Sequence, residues 1–256
     1  MTEFCIVEKN NHIMTVRLNR PERLNALHSP ANIELGEVFD DFAGDEDMWV
    51  AIITGEGRAF SAGNDLRYQA EGGMRVQTPN GFGGITARFD LIKPVIAAVN
   101  GVAMGGGFEI ALACDLIIAS ENAVFALPEP KVGLAAMAGG LTRLPRQIGA
   151  KRALSMILTG RHVSAEEGMK LGFVSEVVPH DELMNRVLEW ANQMTDCSPL
   201  SLRASKDVVY RSLDNPSLQA SMRADYSSIR QMQESDDYIE GPKAFSEKRR
   251  PNWKGR

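Results

Sequence analysis

Cysteine, histidine and long apolar runs are all scarce in this chain of 256 residues. Cys5, Cys114 and Cys197 are odd in number and show no CxxC spacing, which argues against a disulfide framework and fits a reducing compartment. His12, His28, His162 and His180 include no pair at helical i, i+4 spacing, so no metal site is expected. The longest weakly polar run, Val95 to Phe108, is too short and too glycine-rich to span a bilayer. The start, Met1-Thr2-Glu3-Phe4, lacks the basic and then apolar pattern of a signal peptide, so the expected location is cytoplasmic. A net charge of −5 gives no global reason to expect nucleic acid or an anionic membrane surface, and no aromatic–basic stripe speaks for RNA. A hydrophobic content of 44% and a charged content of 24% are those of an ordinary globular protein, long enough for one large domain or two modest ones.

One absence is local. From Pro94 to Pro130 there is no Lys or Arg, and the only acids are Glu109, Asp115, Glu121 and Glu129. A carboxylate in apolar surroundings without a cation is penalised by desolvation, and its pKa should rise. Such groups are seldom kept in a core unless they are satisfied or serve chemistry. Glu109 follows Met104-Gly105-Gly106-Gly107-Phe108, and its helical neighbours Gly105, Gly106, Leu112 and Ala113 are small or apolar. Glu129 sits between Pro128 and Pro130, which fix the backbone on either side. Two such acids near a glycine-rich helix start point to an acid/base pair beside a place where negative charge develops. The plainer readings are a tight strand-on-helix contact for the glycines and an ordinary loop acid for Glu129, and spacing alone does not bring the two acids together.

The rest of the chain organises around this stretch. Ile13 to Leu18 alternates as a strand, Pro30 to Gly44 has helical spacing, and Trp49 to Thr54 is a compact apolar strand. Gly72 to Gly84, with five Gly and one Pro, reads as a mobile loop. Val95 to Val99, Leu116 to Ala119 and Ala123 to Ala126 are further strands, and the triple glycine opens a helix over Phe108 to Ala113. Strand, glycine turn and helix recur from about 50 to about 135, which implies stacked strand–strand–helix turns rather than a simple Rossmann sheet. From Leu141 onward helices dominate: Ser164-Ala165-Glu166-Glu167 is a capping box, and Asp181 to Met194 and Leu200 to Leu213 are amphipathic. This divides the chain into a mixed core over 1–195 and a helical region over 196–256. Neither GxGxxG nor GxxxxGK[ST] occurs around the triple glycine, which weakens dinucleotide and P-loop readings.

Taken together, these segments resemble a known family. Ala97-Ala98-Val99-Asn100-Gly101 with Met104 to Ala111 resembles the signature of the enoyl-CoA hydratase/isomerase (crotonase) superfamily. Arg20 to Leu27, Phe60 to Leu66, Leu127 to Gly133 and Gly139 to Leu144 match further elements of it, in the family's order and over essentially the whole chain. The C-terminus, from Glu240 to Arg250 and on to Trp253-Lys254-Gly255-Arg256, looks like that of carnitinyl-CoA dehydratases and also of general bacterial hydratases.

The resemblance implies an α/β fold, a ββα-spiral core with a helical C-terminal trimerisation region, and trimers that often pair into hexamers. It implies an acyl-CoA thioester as substrate; no cofactor is expected beyond the CoA of the substrate, and the absence of metal-ligand spacing gives no metal. The oxyanion hole would use the backbone N–H groups of Asn64 and Gly106. Glu109 would be the base and Glu129 the acid, and the presence of both favours hydration and dehydration over isomerisation or hydrolysis. CoA contacts would fall at Arg23, Ala62, Asn64, Asp65 and Leu66, and at Phe245 and Lys248, which could reach the CoA of a neighbouring subunit. The plainer reading of the basic tail, Lys243 to Arg256, is a solvated end. Two departures, Asn64 where Ala is common and Leu134-Ala135-Ala136-Met137-Ala138 after the second acid, lie near the family's acyl site and leave the acyl group open.

Overall fold

Along the computed structural model, which describes residues 2–74 and 76–256, a hairpin of β1 (Cys5–Asn10) and β2 (Ile13–Leu18) leads into α1 (Ser29–Gly44). Three turns of similar plan follow. The first is β3 (Val50–Gly55), β4 (Ala59–Ser61) and α2 (Leu66–Ala70). The second is β5 (Val95–Val99), β6 (Val102–Met104) and α3 (Gly106–Ala113). The third is β7 (Leu116–Ser120), β8 (Val124–Ala126), a 3-10 turn at Glu129–Val132 and α4 (Gly140–Ile148). Then come α5 (Ala150–Ile157), β9 (Val163–Ser164), α6 (Ala165–Leu171), β10 (Glu176–Val178) and α7 (Leu183–Thr195). The chain closes with α8 (Pro199–Leu213), α9 (Leu218–Arg223), α10 (Ser227–Gln233) and α11 (Asp236–Ser246).

The first strand of each turn goes to one sheet and the second to another. The larger sheet runs β1-β2-β3-β5-β7-β10 and the smaller β4-β6-β8-β9. This is the expected ββα spiral. In the larger sheet β2, β3, β5, β7 and β10 are mutually parallel. Its central strands read as unbroken apolar runs because both faces are covered. Successive side chains go to opposite faces. Ile53, Ala97, Val99, Ile117 and Ala119 join the main core with Phe39, Phe60, Phe108 and Phe125. Val50, Ile52, Ile96, Ala98 and Ile118 join a second core with Val187 and Ala191 of α7. Each fully buried Ile or Phe contributes about 1.5–3 kcal/mol through removal from water.

Two expectations need adjusting. The Gly72–Gly84 segment, expected to be a mobile loop, is packed over its second half. Gly83 and Gly84 are buried, and the Gly83 N–H donates to Asn32 Oδ1 of α1 at 2.6 Å. Arg75 of that segment lies outside the described residues. At the start of α6 Ser164 Oγ accepts from the Glu167 N–H at 3.2 Å, but the Glu167 carboxylate turns to Arg161, so only one arm of the capping box forms.

The last helices do not stand apart from the sheet. Lys206 of α8 bonds Asp115 Oδ2 at 2.8 Å, and Trp253 Nε1 donates to the Asp196 carbonyl at 2.8 Å. Asp237, buried at the start of α11, accepts from Ser198 Oγ and from the N–H groups of Lys254 and Gly255. The tail is thereby fastened beside the junction of α7 and α8.

Candidate active site

The smaller sheet positions the site. Strands β4, β6 and β8 are parallel neighbours, so their C-terminal ends share one edge. Asn64 follows β4, Gly106 and Glu109 follow β6, and Glu129 follows β8. Adjacent strands lie about 4.8 Å apart, which brings the three ends within reach of one small molecule. All four residues line a single cavity of about 540 Å³, together with Phe82, Ala138, Gly139 and Arg143.

Local geometry frees two N–H donors toward it. Leu27 and Asn64 form a parallel bridge in which the bonds run from the Leu27 N–H to the Gly63 carbonyl and from the Asp65 N–H to the Leu27 carbonyl. The Asn64 N–H therefore points away from that ladder. Gly106 opens α3, where the first N–H groups have no partner inside the helix. Among the described residues neither N–H donates a hydrogen bond within the protein. The two segments touch: a Cβ on Gly63 would lie 2.8 Å from the Gly106 nitrogen. Gly105, with φ of 53° and ψ of −124°, makes the sharp entry into α3, and a Cβ there would meet Glu129 Oε1 at 2.9 Å.

The two carboxylates differ. Glu109 is only 3% exposed. Burial pushes its pKa up to about 7, opposed by N–H donors from Gly140, at 2.8 Å from Oε1, and Ala138, and reinforced by the nearby Glu129 charge. Glu129 is half-buried; burial raises its pKa too, and its Oε2 is enclosed without a hydrogen-bond partner. Glu109 thus accepts from two N–H donors of another segment that favour its charged form, whereas only its own backbone N–H acts that way on Glu129. The arrangement can accept one proton and deliver another across a shared cavity while two backbone donors face a developing oxyanion.

The other expected contacts are distributed unevenly. Asn64 lines the cavity and its Nδ2 donates to Gln69 Oε1 at 3.0 Å. Ala62 is half-buried, with its N–H on the Leu24 carbonyl. Asp65 is buried and engaged: it caps α2 through the Tyr68 N–H and pairs with Arg20 at 3.1 Å. Burial acts to raise its pKa, but those two partners hold it below the usual carboxylate range. Leu66 is exposed at the start of α2, and Arg23 is half-buried in the turn before Leu24. Phe245, 87% exposed, and Lys248 do not line the cavity of the single chain.

Sequence reading missed several wall residues. Phe82 lies over Gly106, so that a Cβ there would meet its ring at 2.5 Å. The Gly140 N–H that holds Glu109 and the Arg143 guanidinium also went unassigned, although Gly139-Gly140 before an Arg-bearing apolar helix was a visible signal.

A spiral of strand–strand–helix turns with paired acids at the ends of its second sheet is the architecture of the crotonase superfamily. The sequence model for enoyl-CoA hydratase/isomerase matches residues 8–256. The carnitinyl-CoA dehydratases of Salmonella typhi and Salmonella agona are each 43% identical over 263 residues, covering 100% of both chains. Among solved structures, the enoyl-CoA hydratase of Mycobacterium tuberculosis H37Rv superposes with a TM-score of 0.92 at 35% identity, covering 99% of each chain. A probable enoyl-CoA hydratase/isomerase from Mycobacterium abscessus gives 0.93 at 36%, covering 100% of each. The chain belongs to the enoyl-CoA hydratase/isomerase family.

Proposed function

We propose that this protein is a hydro-lyase that adds water reversibly across the 2,3 double bond of an enoyl-CoA thioester. The observation that carries the reading is the meeting of Glu109, Glu129 and the free N–H groups of Asn64 and Gly106 in one cavity. Ionised Glu109 takes a proton from water as the water oxygen bonds to the β-carbon. The π electrons move toward the thioester, whose oxygen gains negative charge between the two N–H donors. Protonated Glu129 delivers its proton to the α-carbon. An oxyanion donor of this kind is typically worth about 3–4 kcal/mol. No metal or redox cofactor enters the scheme, the CoA being part of the substrate.

A narrower reading is dehydration of carnitinyl-CoA, and it rests on the full-length similarity to carnitinyl-CoA dehydratases. Isomerisation or thioester hydrolysis would use the same scaffold, since fold does not fix reaction. A panel of 2-enoyl-CoA thioesters that includes crotonobetainyl-CoA separates these. Loss of enoyl absorbance without release of free thiol is expected. Release of thiol in step with that loss would replace hydration by hydrolysis, and EDTA-sensitive turnover restored by a divalent ion would overturn the metal-free scheme.

For the assembled state we favour a homotrimer or homohexamer. The support is the apolar surface of the last helices, where Leu213, Leu218, Met222 and Ile239 are each at least 70% exposed. A neighbouring copy could also bring Phe245 and Lys248 to a cavity they do not reach within one chain. A cytoplasmic setting agrees with three free cysteines. Among the described residues no helix is long and apolar enough to cross a membrane.

A further inference from the structure

Arg143 is the only cationic Lys or Arg side chain among the described residues that line the cavity. It is held from three sides. Its Nη2 donates to the Thr86 carbonyl at 2.9 Å, and its guanidinium lies 5.6 Å from the centroid of the Phe89 ring. Its Nη1 occupies the space beside Gly139, where a Cβ would sit at 2.2 Å, and Gly139 has φ of 118°. The next residue, Gly140, gives its N–H to Glu109 Oε1, and a Cβ on it would lie 3.1 Å from that oxygen. Two adjacent glycines thus hold a cation on one side and the Glu109 carboxylate on the other. Arg143 also spans from α4 to the segment that carries Phe82, the ring lying over Gly106.

We propose that Arg143 is a positioning residue for Glu109, clamping the Gly139–Gly140 turn that holds the carboxylate and placing a positive charge beside it. This rests on the reading of Glu109 as the general base. Other groups share the surroundings. Glu129 faces Glu109 from the turn after β8, and His28, just before α1, and Tyr68 of α2 line the cavity. Tyr210 of α8 and Cys114 at the end of α3 face Arg143; partial desolvation and the Asp115 carboxylate raise the tyrosine pKa and burial raises that of the thiol, so both stay neutral. Burial lowers the pKa of His28, which keeps it neutral too. Among these neighbours Arg143 is therefore the one whose charge favours the ionised form of Glu109.

The test uses the full-length protein labelled with ¹³C at the glutamate carboxyl carbons, with the Glu109 resonance assigned by its loss in Glu109→Gln. In Arg143→Met the titration midpoint of Glu109 should move up by about half a pH unit or more, as loss of a neighbouring opposite charge requires. Arg143→Lys keeps a charge without the planar fork and should return the midpoint most of the way. Hydration of an enoyl-CoA, followed in parallel, should fall by about 10-fold to 10²-fold in Arg143→Met, with the acidic limb of its pH profile displaced in the same direction. A folded Arg143→Met protein whose Glu109 midpoint matches the wild type overturns the proposal. Because that titration needs no turnover, a wild type inactive on every enoyl-CoA would refute the proposed reaction and still leave Arg143 decided.

Discussion

The second spiral turn and the C-terminal helices treat polar groups in opposite ways. Glu109 of the second turn is buried on the N–H groups of Ala138 and Gly140 at the start of α4, where glycine lets backbone approach the carboxylate closely, with a second carboxylate nearby. In α8 to α11 and the tail, charges pair on the surface, as Arg249 does with Glu240, while large apolar side chains face outward. The outer region holds shape with ordinary pairs and leaves an apolar face uncovered in the single chain. The contrast is one of partners: the buried acids of the helical region, Asp207 and Asp237, are met by Arg211 and Ser228 or by Ser198 and two N–H groups, whereas Glu109 has no cation bonded to it.

The largest expected effect breaks the inner half of that contrast. Glu109→Gln and Glu129→Gln should each lower turnover by about 10²-fold to 10⁴-fold while binding of the CoA ester survives, because acid/base groups contribute that much and affinity comes mostly from the CoA moiety. Near wild-type turnover in either variant would remove that residue from the mechanism. Next, Gly106→Val should cost about 10²-fold in activity per folded molecule, since a side chain there meets the Phe82 ring and displaces the donor by about 1 Å. A variant that melts early yet keeps full specific activity would assign Gly106 to packing alone.

Stability should move the other way. A carboxyl whose folded pKa is about 7 rather than the ordinary 4.5 makes the folded state bind more protons than the unfolded one. Stability from this group is therefore fully present below about pH 4.5 and lost as pH rises through about 7, by about 3 kcal/mol in all. Glu109→Gln should then melt above the wild type at pH 8, with the advantage shrinking toward pH 5. Equal melting temperatures at both pH values would show that Glu109 titrates normally.

Smaller effects sharpen the outer half. Asp237→Ala leaves Ser198 Oγ and the Lys254 and Gly255 N–H groups without their acceptor and should cost about 2 kcal/mol, read by chemical denaturation. Replacing Leu218 and Met222 by polar residues should leave the fold intact and weaken self-association, measured by sedimentation. An active monomer at micromolar concentration, in the unaltered protein, would show that the exposed apolar face serves some other end.

Much of the core was legible because parallel, doubly covered strands read as apolar runs. Val95–Val99 and Leu116–Ala119 fall within a residue of their observed ends. The strands β4 and β6 were not, since each is three residues merged with a neighbouring glycine turn, and yet with β8 they set the site. Among the candidate site residues, Glu109 and Glu129 stood out by the missing cations around them. The supporting wall did not: Phe82 reaches the cavity from an irregular segment with no periodicity, and Arg143 of α4 was signalled only by the Gly139-Gly140 pair before it. Phe245 and Lys248 were picked out by the resemblance alone, and within one chain both stand away from the cavity.

Asn64, Gly106 and Glu129 each come from a different, successive layer of the spiral. The spacing of the reactive groups is consequently the pitch of the stack, a mechanical property of the whole fold rather than of any one loop. Hydrostatic pressure or mild heating that compresses or loosens the layers by a fraction of an ångström should detune the site before helix content changes. Such a protein would act as a gauge of its own lattice, with function fading at temperatures where circular dichroism still shows an intact chain.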